Sequence, residues 1–451
     1  MNIIVLGAGK VGETICKDLS EENHDITLIE NDEKRFQILT TKYDIKGVFG
    51  NGATYEVLHE ADVENCDVFL AVTENDEINM ISCVIAKNMG AKKTWARVRN
   101  PEYSSLSKTM SKSLGLTNFI NPEKDAAIVC QQLIDFPVAE SFESFSNDKA
   151  AIVEIRITDN FPLINKNLVS FRTKYPNLIV CFVQDGGETF IPKGDYIIKE
   201  NNHLFVTGSF SELRKLYKDN GQVENRIKSI LIIGGGLVVE YLLTLFKDRK
   251  IDIKVIEVDD KRASKLSELF PNIEVINADG TSVEILDEQR ISSYDAVLAM
   301  TGIDEENIVI TMVAESKGVK KRLAKINRTE LLRIIDSNSL QSIITPKRIT
   351  ADNMVQYIRA LGNSQGSNVE ALYKLCDNQI EVLQFRVKEG SKATEKMIKE
   401  TKFIDNILIA YIYRNGKLMF PSGNDRIKAN DRVIIISSGE RHLNDLDEIV
   451  L

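Results

Sequence analysis

Met1-Asn-Ile-Ile-Val-Leu-Gly7-Ala-Gly9-Lys-Val-Gly12 comes back as Ser229-Ile-Leu-Ile-Ile-Gly234-Gly-Gly236-Leu-Val-Val239. Gly7 and Glu30 recur 227 positions later as Gly234 and Glu257, and Thr73-Glu-Asn-Asp76-Glu77 recurs at a shift of 228 as Thr301-Gly-Ile-Asp304-Glu305. An internal repeat on this scale implies two homologous lobes, each with its own nucleotide-sized site. The full 451 residues exceed one hydrophobic core and suit three or four domains.

Apolar runs alternate with helix-period segments from the start. Strands are predicted over Ile3 to Leu6, Ile26 to Ile29, Gly47 to Phe49, Val68 to Val72, Thr94 to Val98 and Thr117 to Ile120. Helices over Lys10 to Leu19, Glu33 to Tyr43 and Glu77 to Met89 separate them, which specifies α/β lobes with a parallel, doubly wound, Rossmann-like sheet. After Asn121-Pro122, the segment Asp125 to Phe136 reads as an amphipathic connecting helix.

Beyond it the texture changes to strands Ile152 to Ile157, Leu178 to Gln184 and His203 to Val206, with a hairpin turn at Asp185-Gly186-Gly187. This is a small α+β lobe, and the match of Pro192-Lys-Gly194-Asp195 to Pro421-Ser-Gly423-Asn424 duplicates it as well. The expected domains are therefore 1–122, 139–222, 227–346 and 367–451, hinged at Asp219-Asn-Gly-Gln and linked across Gly362 to Asn368.

Composition narrows the partners. A net charge of −9 with no long basic run disfavours nucleic acid. The longest apolar stretch, Ile230 to Phe246, is interrupted by glycines and Glu240 and is too short to cross a bilayer. With a strand directly after Met1 there is no signal peptide to read, so a cytosolic protein is expected. Cys16, Cys66, Cys83, Cys130, Cys181 and Cys376 form no CxxC pair and read as buried apolar residues.

Gly7-Ala-Gly9-Lys-Val-Gly12 follows a strand, opens a helix and is trailed by Glu30 at the end of the next strand. The first glycine permits a tight turn, the second lets backbone approach a pyrophosphate, and the third allows the helix to pack closely. The helix N-terminus then offers N–H groups to phosphate. Glu30 is expected to accept hydrogen bonds from ribose hydroxyls and to repel a 2′-phosphate, favouring NAD(H) or an adenine nucleotide over NADP(H). The second lobe keeps Gly234, Gly236 and Glu257 but has Val239 for the third glycine and Leu237 for Lys10, so its site should be weaker or differ in ligand.

Further candidates lie at strand ends: Asn51-Gly52 and Asp279-Gly280, Thr73-Glu74 and Thr301-Gly302, Arg97 and Lys325. Arg97 suits a phosphate or an adenine ring. Asp76, Glu77, Asp304 and Glu305 head helices and most simply answer the helix dipole. A dehydrogenase needs a positioned acid or base, and His24, His59, His203 and His442 all fall away from the fingerprint strand ends. An NAD-dependent oxidoreductase is the main alternative reading. A redox-sensing transcription factor would need a winged helix or basic stripe that the chain lacks.

The doubled fingerprint, the strand ends Ala71-Val-Thr73 and Ala299-Met-Thr301, the Asp76 to Asn79 and Asp304 to Asn307 segments, and Ala96-Arg-Val-Arg-Asn-Pro-Glu-Tyr103 together resemble the TrkA family of Trk-system potassium-uptake regulatory subunits. These are tandem RCK (regulator of potassium conductance) units, each with a Rossmann-like lobe and a small C-terminal lobe. The resemblance implies a nonenzymatic, nucleotide-binding subunit, peripheral on the inner face of the plasma membrane. It would gate an integral-membrane potassium-translocating partner of the TrkH/TrkG type in response to NAD(H) or ATP/ADP, as a homo-oligomeric dimer or tetramer ring. Carried onto this sequence, site one comprises Gly7, Ala8, Gly9, Lys10, Val11, Gly12, Glu30, Asn51, Thr73, Glu74 and Arg97. Site two comprises Gly234, Gly235, Gly236, Leu237, Val238, Glu257, Asp279, Thr301 and Lys325. Asn51, where the family usually has Asp, and Val239 depart from the pattern.

Overall fold

The computed structural model describes residues 1–20, 24–105, 113–137, 142–145, 150–221, 226–328, 342–363, 369–376, 379–439, 443 and 445–451. Its chain forms two compact units, one of Met1–Ile134 with Ile227–Val355, the other of Asp135–Arg226 with Gln356–Leu451. Each unit pairs one copy of the repeat with the other.

In the first unit, lobe one runs β1 (Asn2–Leu6), α1 (Lys10–Ser20), β2 (Asp25–Glu30), α2 (Glu33–Lys42), β3 (Lys46–Phe49), α3 (Tyr55–Glu60), β4 (Val68–Ala71), α4 (Asp76–Met89), β5 (Lys93–Arg97), α5 (Pro101–Ser105), β6 (Asn118–Ile120) and α6 (Pro122–Asp135). The sheet order β3-β2-β1-β4-β5-β6 is parallel throughout and reverses direction between β1 and β4, which opens a crevice at the carboxyl ends of those two strands. The central strands are apolar at every position because helices cover both faces: Val68, Phe69, Leu70 and Ala71 are all fully buried. The connecting helix starts at Pro122, three residues earlier than periodicity suggested. Asn121 caps it, accepting from the Lys124 N–H at 2.9 Å, and proline suits the first helical position.

The second unit holds the small lobes. The first has β7 (Phe142–Phe145), β8 (Ala150–Arg156), α7 (Leu168–Lys174), β9 (Leu178–Asp185), β10 (Glu188–Phe190), β11 (His203–Gly208) and α8 (Phe210–Asp219), with sheet order β10-β9-β11-β8-β7. The β9–β10 hairpin closes through Gly186 (φ +60°) and Gly187 (φ +91°), the left-handed pair that two-residue hairpins demand. The edge strands β7 and β10 were not apparent in the sequence, being only four and three residues long.

Lobe two repeats lobe one as β12 (Ser229–Ile233), α9 (Leu237–Phe246), β13 (Asp252–Glu257), α10 (Asp260–Leu269), β14 (Glu274–Asn277), α11 (Val283–Glu288), β15 (Ala296–Ala299), α12 (Asp304–Ser316), β16 (Lys321–Lys325), β17 (Ser342–Ile344) and α13 (Pro346–Asn363). Its order is β14-β13-β12-β15-β16-β17. The last small lobe, β18 (Val369–Leu375), β19 (Ile380–Arg386), β20 (Ile407–Arg414), β21 (Lys417–Met419) and β22 (Arg432–Ser438), has the order β18-β19-β22-β20-β21, the same topology as its twin. The two small sheets share a core in which Ile152, Phe182 and Phe205 pack with Val382, Tyr411 and Ile434. Arg172 also donates to the carbonyls of Phe420 and Pro421, tying α7 to the duplicated proline loop.

Five cysteines are buried and Cys376 is half-buried. Burial pushes the Cys16, Cys66 and Cys130 thiols up to about 12, so they stay protonated and inert. Gln222, the segment 364–368 and His442 lie outside the described residues, as do the expected domain limits at 139, 222 and 367.

The two large lobes meet through α6 and α13 within the first unit. Asn121 donates to the Tyr241 hydroxyl at 2.7 Å, that hydroxyl donates to the Arg99 carbonyl at 2.9 Å, and Asn353 donates to Asp125 at 3.5 Å. Burial raises the Asp125 carboxyl to about 6, only partly offset by Asn353. A carboxyl raised above its unfolded value near 4 contributes stability below that value and loses it as pH rises through the folded value. Asp125→Asn is therefore expected to stabilise the protein by about 1–2 kcal/mol at pH 8, an advantage that shrinks as pH falls below 6. Denaturant melts of both proteins at pH 5 and 8 measure it; a gain equal at both pH values contradicts the assignment.

Candidate functional site

The crevice at the β1/β4 reversal holds a cavity of about 420 Å³, lined among others by Gly7, Gly9, Glu30, Arg35, Asn51, Gly52, Thr73, Glu74 and Asn75. Its floor is the glycine turn. Gly7 has φ +110°, and a Cβ there would stand 3.0 Å from the Thr73 nitrogen, so the turn is pressed against the end of β4. A Cβ on Gly12 would fall 1.9 Å from the Gly7 carbonyl oxygen, which is why α1 can sit directly on the turn. Gly9 has nothing within 4 Å of a Cβ position and faces open space.

Glu30 is buried, and its carboxylate accepts from the backbone N–H groups of Ala8 at 2.5 Å and of Asn31 and Asp32 at 2.8 Å each. It fastens the glycine turn to the start of α2. A carboxylate offers about four acceptor positions, so three internal bonds leave roughly one for a ribose hydroxyl, fewer than the fingerprint suggested. Glu257 does the same in lobe two, accepting from Gly235 at 2.5 Å and Asp259 at 2.8 Å.

The remaining candidates divide by position. Thr73, Glu74 and Asn51 line the cavity with the glycines, and the Asn51 side-chain Oδ1 accepts from the Ala53 N–H at 3.0 Å. Val11 and Val238 are buried in the core, so only their backbone can serve a ligand. Lys10 is exposed, 3.9 Å from Glu13. Arg97 does not line the cavity; it is 6% exposed behind Thr73, donating to the Thr73 carbonyl at 3.4 Å with Glu123 at 3.9 Å. Lys325 likewise donates to the Met300 carbonyl at 3.2 Å. Burial lowers the affinity of both cations for their protons.

In lobe two, Gly234 has φ +94° and a Cβ would crowd the Met300 carbonyl at 2.8 Å, while Gly236 caps α9 facing open space. Val239, where lobe one has its packing glycine, is fully buried. Leu237 is half-buried at the Lys10 position. Asp279 accepts from both the backbone and the hydroxyl of Thr281, and these bonds hold its carboxyl below the usual range.

Asn79 and Asn307 organise both sites in a way that motif reading did not disclose. Buried Asn79 accepts from the Thr73 N–H at 2.9 Å and hydroxyl at 2.6 Å, and donates to the carbonyls of Thr73 and Arg97 at 3.1 and 2.9 Å. Asn307 makes the equivalent backbone links to Thr301 and Lys325. The available signal was the repeated Asp-Glu-x-Asn, since three positions along a helix share one face. Asp76 and Asp304, expected at the helix dipole, are buried and accept backbone N–H groups from Arg99 and Asn100, and from Asn327 and Arg328. Asn75 is the residue that caps α4.

Doubled strand-turn-helix cradles, each in a six-stranded parallel sheet and each followed in sequence by a small antiparallel lobe, define a tandem Rossmann-type protein. The TrkA-N domain family matches residues 3–122 and 230–346, and the TrkA-C domain family matches 152–221 and 382–449. The chain belongs to the TrkA family. It is similar to the Trk system potassium uptake protein TrkA homolog 2 of Methanosarcina mazei, at 30% identity over 99% of this chain and 100% of that one. It is also similar to the Trk system potassium uptake protein TrkA of Vibrio alginolyticus, at 28% identity over 100% of this chain and 98% of the relative. Among solved structures, the GsuK channel matches with a TM-score of 0.63 at 16% identity, covering 97% of this chain and 76% of that one. The GsuK channel bound to NAD matches at 0.61 and 15%, with the same coverage. These two establish likeness of fold. Among the described residues, no helix is long and apolar enough to cross a membrane.

Proposed function

We propose that this chain is a regulatory subunit of a potassium uptake system, binding NAD(H) or ATP/ADP in its first cradle and gating an integral-membrane partner of the TrkH/TrkG type. The observation that carries the nucleotide reading is the lobe-one cavity, where Gly7, Gly9 and Thr73 present backbone at the head of α1 beside buried Glu30. Membership of a family whose relatives are potassium uptake proteins supports the transport role. The subunit works at the cytoplasmic face of the membrane and assembles with further copies of itself into a ring. Lobe two, with its cation and packing glycine replaced, responds to a different ligand or holds its ligand more weakly.

Gating follows if the ligand prefers one arrangement of the lobes, because only differential affinity shifts a population. Thermal melts of the full chain with NADH, NAD, ATP and ADP test the first step: at 100 times its dissociation constant, a ligand stabilises by about 2.7 kcal/mol. Potassium flux through the reconstituted partner tests the second. Flux indifferent to every nucleotide that binds removes the gating role, and turnover of NADH with a small substrate restores the oxidoreductase reading.

A further inference from the structure

Across the sheet of lobe one the strands lie in the order β3, β2, β1, and the groups at their carboxyl ends follow it: Asn51 beyond β3, Glu30 at the end of β2, the glycine turn after β1. A nucleotide whose phosphate meets the turn and whose ribose meets Glu30 therefore brings its base to Asn51. Gly50, Asn51 and Gly52 all line the cavity. The two glycines fix the place of the asparagine, since a Cβ on Gly50 would stand 2.6 Å from Val57 and one on Gly52 2.3 Å from Leu6.

One hydrogen bond orients the Asn51 amide. A backbone N–H can only donate, so the atom 3.0 Å from the Ala53 nitrogen is Oδ1, and Nδ2 is the group left to serve a base. Among the described residues none accepts from that Nδ2. Lobe two has the same turn with the opposite chemistry. At a shift of 228, Asp279 uses Oδ1 to accept from the Thr281 N–H at 2.9 Å and hydroxyl at 2.7 Å, which leaves a carboxylate oxygen, an acceptor, where lobe one has a donor. Arg35 lines the cavity as well, but Arg262 holds its place in lobe two, so that cation does not distinguish the lobes.

Resting on the reading of lobe one as a nucleotide cradle, we propose that Asn51 faces position 6 of the bound purine and tunes lobe one to 6-oxopurine nucleotides, those of hypoxanthine or guanine, in addition to adenine nucleotides. The Nδ2 group donates to a 6-carbonyl oxygen, whereas the adenine 6-amino group is itself a donor and makes no such bond. Adenine nucleotides keep their phosphate and ribose contacts and forgo only this one. A carboxylate in the same place reverses the reading, because it accepts from the amino group and opposes the carbonyl.

The test titrates the full chain with ADP and with inosine diphosphate, which differ only at positions 6 and 1 of the base, by calorimetry in a Gly236→Asp background so that lobe one alone reports. Inosine diphosphate is expected to bind about threefold more tightly than ADP. ADP binding as tightly or more tightly overturns the proposal, and this comparison needs no substitution at position 51. Adding Asn51→Asp, which keeps an oxygen for the Ala53 N–H, should leave the melting temperature of the free protein unchanged and reverse the order, with ADP about tenfold tighter. An unchanged ratio, or one moved further toward inosine diphosphate, overturns the assignment of position 6 to residue 51. An unsubstituted chain that binds neither nucleotide refutes the cradle reading itself, before any variant is compared.

Discussion

Gly9→Asp is expected to lower nucleotide affinity of the first lobe by at least about a hundredfold while leaving the melting temperature of the free protein within a degree or two. Nothing lies within 4 Å of the Cβ that the substitution adds, so the fold has room for it. The carboxylate then stands at the head of α1, on the ground a pyrophosphate would occupy, and replaces attraction by a helix N-terminus with direct repulsion. Titration of wild type and variant with the tightest-binding nucleotide measures this. The companion Gly236→Asp should cost less, because lobe two lacks the cation and glycine that lobe one retains; equal losses from both contradict that ranking.

Gly12→Ala should do the opposite, destabilising the protein itself by about 3 kcal/mol before any ligand is added. The new methyl would lie 1.9 Å from the Gly7 carbonyl oxygen, and that atom is backbone in a turn already pressed onto Thr73. Neither side has a flexible end to yield, so α1 must lift from the strand. Chemical denaturation of lobe one, followed through Trp95, the chain's single tryptophan on β5, reports the change. A variant as stable as wild type would show that the loop moves more easily than its contacts imply. Val239 marks the same position in lobe two and is fully buried there, so that turn is built around a branched side chain.

Much of the architecture was legible because its causes are local. Unbroken apolar strands such as Val68 to Ala71 are what a sheet covered on both faces requires, and the Gly-Gly pair at 186–187 is what a two-residue hairpin requires. Boundaries slipped where capping decided them: Asn121 begins α6 earlier than its apolar periodicity does. The short edge strands of the small lobes carried too few residues to show a period.

The candidate site was legible to a lesser depth. Gly7, Gly9, Glu30, Asn51, Thr73 and Glu74 were recognisable from spacing and meet around one cavity. Whether Glu30 offers its oxygens to a ligand or to the loop's own N–H groups depends on a hydrogen-bond pattern between residues 22 positions apart, which spacing does not encode. The roles of Asn79 and Asn307 were hidden for the same reason: a buried amide is chosen by the carbonyls and N–H groups around it, and those belong to the ends of two separate strands.

The amino-acid sequence by itself determined the duplication, the Rossmann-type sheets and the place of the glycine turns, because periodicity and backbone freedom are properties of short segments. Tertiary structure alone decided which carboxylates are spent inside the protein, and that Arg97 lies buried behind Thr73 rather than in the cavity. It also decided that Asn353 of one repeat donates to Asp125 of the other. The physical reason is that burial and electrostatic neighbourhood depend on distances between segments far apart in the chain, which exist only once the lobes have packed.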